Sequence, residues 1–556
     1  MSRLDLEHMA VRKQNAWKRI ELVLFLSVIL FGLLAVLSAA MTPGWHVTAY
    51  ADHLKVSSDS TSIKAKDLET TPEGTYKVKT TTITMAISGG QHAMAIVREP
   101  IGAPSGRPAC VFVHGAGTGK ASEVYEDLAN AMASAGITTL VQDKRLDNYT
   151  ALSRDYLSNA VDYTVGLDTL RGWDGVDSSK VGVYAESEGT WISTVMTKQD
   201  PDIAFSILTS PPVVSGRSQM AMAATSYLNI IGAPSGVQGI IPKFTSMNFG
   251  WLGLNYADFD TGEYLDSLTM PVLVNYGTLD PAMPVEQGAR MIMSAAAADG
   301  NNNVTVRYYP TNHQMRVGSA LSLPGLQLES HYTTNLEDWI NAVAAGTTAD
   351  DWATPMVAGD QPYQEYAAPE ASEMKPGLVS NVNAIFIVAG LGLLAWLVAV
   401  VTSFVLVGVN HGRARRLRRA EASGDANAAA TLRKPRRFTG GTGLLISLNL
   451  VMTAVMLAGC GGYIVMTAKA ALSLTDEATA LHAGWLALQI LFLGAIVLFA
   501  WMWDRIIVNK TRFRFRGEPA HEPMKMMPGH WVVIVATTLC VLAMFFLCTF
   551  LGLMIV

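Results

Sequence analysis

A serine hydroxyl attacks a carbonyl only when a base takes its proton and nearby donors receive the oxyanion. Residues of the right types for each part occur in this chain. Ala185-Glu186-Ser187-Glu188-Gly189 lies between a short β-rich run, Lys180 to Tyr184, and a run that can continue as a helix, Thr190 to Met196. A serine at such a strand–turn–helix corner is held in a tight turn, with its hydroxyl exposed and the following N–H free to bind an oxyanion. Residues two positions either side must be small, because strand and helix backbones pass close together. Gly189 meets this, and Ala185 stands where the usual pattern has glycine.

An acid and a base follow, each after a predicted strand. Pro271 to Gly277 reads as a buried strand and delivers Asp280. Val304 to Tyr309 alternates like a strand and delivers His313. Upstream, the apolar strand Ala109 to Val113 runs into His114-Gly115-Ala116-Gly117. His313 is the candidate base for Ser187, and Asp280 would orient it and stabilise the imidazolium. The oxyanion donors would be the N–H of Glu188 and one from the His114–Gly117 loop, Ala116 foremost with Gly115 beside it. His114 itself reads as a structural turn residue. His331 is a competing base with no strand before it, and Asp258 and Asp260 are poorer acids. Glu186 and Glu188 flank the nucleophile: they would raise the pKa of His313 and disfavour anionic substrates, or pair with a base such as Lys144 or Arg145.

Ser187, Asp280, His313 is the Ser…Asp…His order of α/β-hydrolases. The stretch from about Thr75 to Gly346 resembles that superfamily, especially its dienelactone-hydrolase and prolyl-oligopeptidase-like branches. The resemblance implies an acyl-enzyme mechanism that needs no cofactor and no metal. An ester or lipid-like acyl substrate is expected, so the chain reads as a serine esterase or lipase. A cell-envelope acyltransferase, a serine peptidase and a catalytically inactive sensor or binding module are the alternatives.

These residues need a sheet to hold them. Tyr76 to Ile87 and Gln91 to Arg98 read as an antiparallel hairpin leading into it. Helices are expected over Ala121 to Ala135, with Val124, Leu128, Met132 and Ala133 on one face, and over Leu152 to Leu170. Thr138 to Val141 and Ala204 to Leu208 read as further strands, and Asn335 to Ala345 as the closing helix. The alternation predicts an α/β fold with a mostly parallel sheet covered on both faces. Between 211 and 268 the pattern loosens into Met- and aromatic-rich pieces cut by Gly and Pro, as in a cap. Packing onto the sheet explains those pieces equally well. Residues 347–379, rich in Ala, Pro, Asp and Glu, read as a solvated linker.

The chain has 556 residues, of which 50% are hydrophobic and only 16% charged, below the usual charged share of a soluble protein. Its net charge of −5 does not point to nucleic acid. None of the four cysteines has spacing that suggests a disulfide or zinc. Leu22 to Ala40 is apolar and long enough to span a bilayer. Ser38-Ala39-Ala40 resembles a signal-peptide cleavage site, but the length of the run and the later spans favour an uncleaved anchor. Four more spans are expected at about 384–409, 443–467, 483–507 and 531–556. Lys and Arg stay on the cytoplasmic side. They cluster at the N-terminus (Arg3, Arg12, Lys13, Lys18, Arg19), after the second span (Arg413 to Arg419 and Arg433 to Arg437) and after the fourth (Arg505 to Arg516, with Lys525). The loop between the third and fourth spans has only Lys469.

Alternation then gives a cytoplasmic N-terminus (1–21), a first span (22–41), an extracytoplasmic hydrolase domain (42–346), the linker and a four-helix membrane region (380–556) with its C-terminus outside. The partners implied are membrane lipids and a membrane protein met through the C-terminal helices. Asn449 and Gln489, uncharged polar residues at depth, read as interhelical contacts. The run Gly459 to Gly462 suggests a close helix contact or a break. No charged residue lies mid-span, which argues against an ion-coupled transporter. The alanine-rich composition leans bacterial, so the sequons at Asn148 and Asn303 are discounted.

Overall fold

A computed structural model describes residues 3–117, 119–433, 437–510 and 526–554. Part of the basic clusters, namely Lys434, Arg436, Arg512, Arg514, Arg516 and Lys525, lies outside the described residues. The chain divides into two compact units. One takes the residues up to Gly44, then Leu228–Trp251, then those from Lys375 on; the other takes Trp45–Tyr227 and Leu252–Met374.

The helical unit opens with α1 (Arg3–Met41). The other unit is built on a sheet. In chain order its elements are β1 (Lys77–Ala86), β2 (His92–Ile101), β3 (Arg107–Val113), α2 (Glu126–Ser134), β4 (Thr138–Gln142), α3 (Tyr156–Arg171), β5 (Val176–Glu186), α4 (Gly189–Gln199), β6 (Ser206–Thr209) and α5 (Gly216–Ile230). After the short helices α6 (Ser235–Gln238) and α7 (Ile240–Thr245), which lie in the helical unit, come β7 (Val272–Gly277), α8 (Gln287–Ala298), β8 (Val304–Tyr309), α9 (Tyr332–Ala344) and β9 (Val357–Gly359). The strand order is β1-β2-β4-β3-β5-β6-β7-β8-β9. β1, β2 and β4 pair antiparallel, and every pair from β4 onward is parallel. This is the α/β-hydrolase fold.

Period-two alternation decides which face each strand residue covers. Val111, Val113, Val183, Ala185, Val272 and Val274 pack with Tyr163 and Leu167 of α3, Ile192 of α4 and Ile292 of α8. Cys110, Phe112, Tyr184 and Leu273 pack on the opposite face with Leu128 and Met132 of α2 and Trp339 and Ile340 of α9. Both faces are therefore buried, which is why these strands read as apolar runs.

Two expectations change. The helix expected from Ala121 begins at Glu126, because Tyr125 takes a left-handed conformation (φ 61°) that a right-handed helix cannot contain. Residues 347–374 are not a solvated linker. They add β9 to the sheet, bridge Trp352 to Ala65 and Tyr366 to Ala49, and bury Trp352, Ala368 and Met374. Buried Arg307 joins this segment to residues 61–62 through the carbonyls of Met356, Thr61 and Ser62.

The helical unit continues with α10 (Val382–Ala422), α11 (Ala426–Leu432), α12 (Thr442–Ser473), α13 (Ala478–Lys510) and α14 (Pro528–Phe550). With α1, five helices are long and apolar enough to cross a membrane. Asn449 joins α12 to α13 through the Leu498 carbonyl. A Cβ on Gly459 would lie 2.9 Å from Leu488, so α12 is unbroken there and touches α13. At one end of the unit, Arg19 of α1 and Asp504 of α13 form a buried ion pair of 3.0 Å. At the other end sits Leu228–Trp251, the middle of the segment expected as a cap. The Glu477 N–H donates to the Ile231 carbonyl (3.2 Å), Lys243 Nζ to the Phe550 carbonyl (3.1 Å), and the Asn248 N–H to Ser380 (2.8 Å). Burial lowers the Lys243 ammonium to about 8.

Candidate active site

β5 ends at Glu186 and α4 begins at Gly189, so Ser187 and Glu188 form the corner. Ser187 has φ 56°, a left-handed conformation that a non-glycine residue adopts only at a cost of about 1–3 kcal/mol. Three observations show what holds it. The Ser187 N–H donates to the Thr209 carbonyl at 2.8 Å. A Cβ on Gly189 would lie 2.5 Å from the Val113 carbonyl oxygen, and one on Gly115 would lie 3.3 Å from Ser187 Cβ. Small residues on both sides therefore let β3, β5 and α4 converge, and Ala185, wholly buried, fills the position usually held by glycine.

Asp280 and His313 meet. His313 Nδ1 and Asp280 Oδ2 are 2.6 Å apart. The aspartate side chain is 1% exposed and the imidazole 24%, so the ring keeps an open edge while its partner is sealed. The Ser210 hydroxyl donates to the His313 carbonyl at 2.8 Å. Ser187 and His313 are thus each hydrogen-bonded to consecutive residues, Thr209 and Ser210, at the end of β6. Burial opposes a charge on His313, but the charge and hydrogen bond of Asp280 and the charge of Glu186 outweigh it and leave the imidazole above its ordinary value.

The loop after β3 places Gly115 beside this corner. Lys144 Nζ donates to the Gly115 carbonyl at 3.1 Å, and the Gly115 backbone also hydrogen-bonds Tyr125. Ala116 is exposed in the turn. His114 is wholly buried, and burial with the Lys144 charge lowers it to about 3. Its ring packs against those of Tyr125 and Tyr163. His331 is exposed and pairs with Glu329, 4.0 Å away. Asp258 pairs with Arg217, and Asp260 caps a turn at Gly262.

The two flanking glutamates separate in role. Glu188 is buried against Arg154 (2.9 Å), Tyr149 (2.5 Å) and Lys144 (3.9 Å). Of the two expected bases only Lys144 is near it; Arg145 pairs with Asp147 instead. Tyr149 and Arg154 come from an irregular loop with no periodic signal to mark them. Glu186 faces a cleft of about 970 Å³ that Gln314 also lines. Glu123, Glu126, Asp127 and Glu329 add negative charge there, against Arg316. Burial raises the Glu186 carboxyl, opposed by the charges of His313 and Arg316 and a Gln314 hydrogen bond. Ser187 does not line this cleft; its neighbour Glu186 does. Among the described residues no group of His, Cys, Asp and Glu could hold a metal ion.

No family model matches the chain. Solved structures similar to it include a putative dienelactone hydrolase from Klebsiella pneumoniae, at 12% identity over 49% of this chain and 100% of that one, with a TM-score of 0.35. An esterase from Pyrococcus furiosus matches at 14% identity over 49% and 91%, with a TM-score of 0.32. A putative dipeptidyl aminopeptidase IV from Bacteroides ovatus matches at 14% identity over 49% of this chain, with a TM-score of 0.34. This chain spans only 36% of that protein's length. At these identities and scores the fold rests on the chain's own strand order.

Proposed function

We propose that this chain is a membrane-bound serine hydrolase that cleaves an acyl ester on the extracytoplasmic face. The observation that supports this most is the Asp280–His313 pair of 2.6 Å, tied to the same strand end as Ser187, which holds a left-handed corner. In this reading the Ser187 oxygen adds to the ester carbonyl while His313 Nε2 takes its proton. Asp280 fixes the tautomer through Nδ1 and stabilises the imidazolium. The N–H groups of Glu188, ahead of the first turn of α4, and of the exposed turn residue Ala116 receive the oxyanion. The intermediate then collapses, His313 protonates the departing alcohol, and water activated by the same imidazole releases the acid. Neutral and cationic esters are favoured over anionic ones, because the neighbouring cleft is acidic.

The test is turnover of p-nitrophenyl esters of graded acyl length by the full-length protein in detergent or nanodiscs. Ser187→Ala and His313→Ala are each expected to lower kcat by about 10³-fold or more. Unchanged turnover in either variant overturns the assignment.

A further inference from the structure

Within the helical unit, α10, α12 and α14 enclose a chamber of about 240 Å³. It exists because small residues stand where larger ones would close it: Ala389 and Gly392 on α10, Ala454 on α12 and Ala543 on α14. α10 and α14 already touch at this level, since a Cβ on Gly392 would lie 2.7 Å from that of Ala543. Its floor is sealed by Cys540 and Met544, each 1% exposed. Its rim is not: Leu393 and Leu457 are 56% and 39% exposed on the outside of the bundle. The chamber is therefore continuous with the surface that faces lipid.

The polar atoms around it are already used. Trp396 Nε1 donates to the Leu450 carbonyl at 3.0 Å. Thr453 Oγ1 donates to the Asn449 carbonyl at 2.9 Å, and Cys540 Sγ to Thr537 at 3.1 Å. Water needs two or more polar partners to occupy a cavity, and these walls offer carbon. An empty chamber would forfeit the dispersion contacts of every atom lining it. In a bilayer the filler at hand is hydrocarbon. The α10 residues lie seven to fourteen positions from its start at Val382, about 10–20 Å below the end where Leu228–Trp251 packs.

We infer that the chamber is a binding site for one acyl chain of a bilayer phospholipid, drawn from the leaflet at that end and entering between α10 and α12. The site gives the C-terminal helices a role beyond anchoring and stands independently of the catalytic assignment.

The test uses the full-length protein in phosphatidylcholine nanodiscs containing a trace of phosphatidylcholine with a diazirine in one acyl chain. After irradiation, adducts are mapped by mass spectrometry. Residues 389–396 and 540–547 are expected to carry adducts about tenfold above the lipid-facing stretch of α13 at Leu486 and Ile490. Ala454→Trp, which fills the chamber, is expected to remove that excess and leave α13 labelling unchanged. Ala389→Met serves as a second filling variant if Ala454→Trp fails to fold, and Val455→Trp, on the outer surface, is expected to change nothing. Even labelling over all lipid-facing helices, or an excess that survives both filling variants, overturns the proposal.

Discussion

His313 must be neutral to accept a proton, and most of the charge around it works against neutrality. Burial favours the neutral ring, but the charge and hydrogen bond of Asp280 and the charge of Glu186 prevail and raise the imidazole. The active form is the base, so kcat/KM is expected to rise with pH through a limb on the alkaline side of ordinary imidazole. Glu186→Gln removes one raising charge and leaves Asp280 in place. Its limb is expected at lower pH, read from the kcat/KM profile of a neutral ester; an unmoved limb refutes the influence of Glu186. The stability linkage has the opposite sense: a raised folded pKa stabilises fully below the unfolded value and is lost as pH rises through the folded one. Ser187, Asp280 and His313 were legible because each follows a strand. Of the partners of Glu188, Lys144 was legible, but Tyr149 and Arg154 were not, because they belong to an irregular loop without periodicity.

At the scale of elements, the site depends on how closely β3, β5 and α4 approach. Alanine in place of a helical glycine ordinarily gains up to about 1 kcal/mol. At Gly189 the added Cβ would lie 2.5 Å from one backbone carbonyl oxygen and 2.8 Å from another, and neither can move as a side chain would. Gly189→Ala is therefore expected to cost about 1–3 kcal/mol net, seen as a lowered midpoint of thermal inactivation; an unchanged or raised midpoint contradicts the close approach. β3 and β7 showed as apolar runs and β8 as an alternating one, and all three fall within a residue or two of expectation. The segment from 347 to 374 misled because its composition is polar while a few anchors, Trp352 and Met374 among them, carry its burial. α2 began late because the left-handed Tyr125 is a backbone choice that apolar spacing does not reveal.

At the scale of the whole molecule, charge asymmetry and helix packing make the same division. The end of the helical unit holding the Arg19–Asp504 pair also holds the Asn509 contacts with Thr439 and Thr442. The opposite end gathers Met41, Val379 and Phe550. The sidedness expected from the Lys and Arg clusters, with the first end cytoplasmic, is open to direct test because all four native cysteines are buried. Thr475→Cys is expected to react with a membrane-impermeant maleimide on intact cells, and Ser423→Cys only after permeabilisation; the reverse pattern refutes the orientation. The five apolar helices were legible from hydropathy alone. The attachment of Leu228–Trp251 to the ends of those helices was not, because its Met and aromatic residues suit a cap and a membrane-edge segment equally.

The claim that everything functional rests on is that Ser187 is an activated nucleophile. Fluorophosphonate labelling of the full-length protein, with the adduct located by mass spectrometry, addresses it most directly. The expected result is one covalent adduct on Ser187 that disappears in Ser187→Ala and falls sharply in His313→Ala. Labelling that persists in Ser187→Ala, or an intact wild-type protein that takes no label, would contradict it.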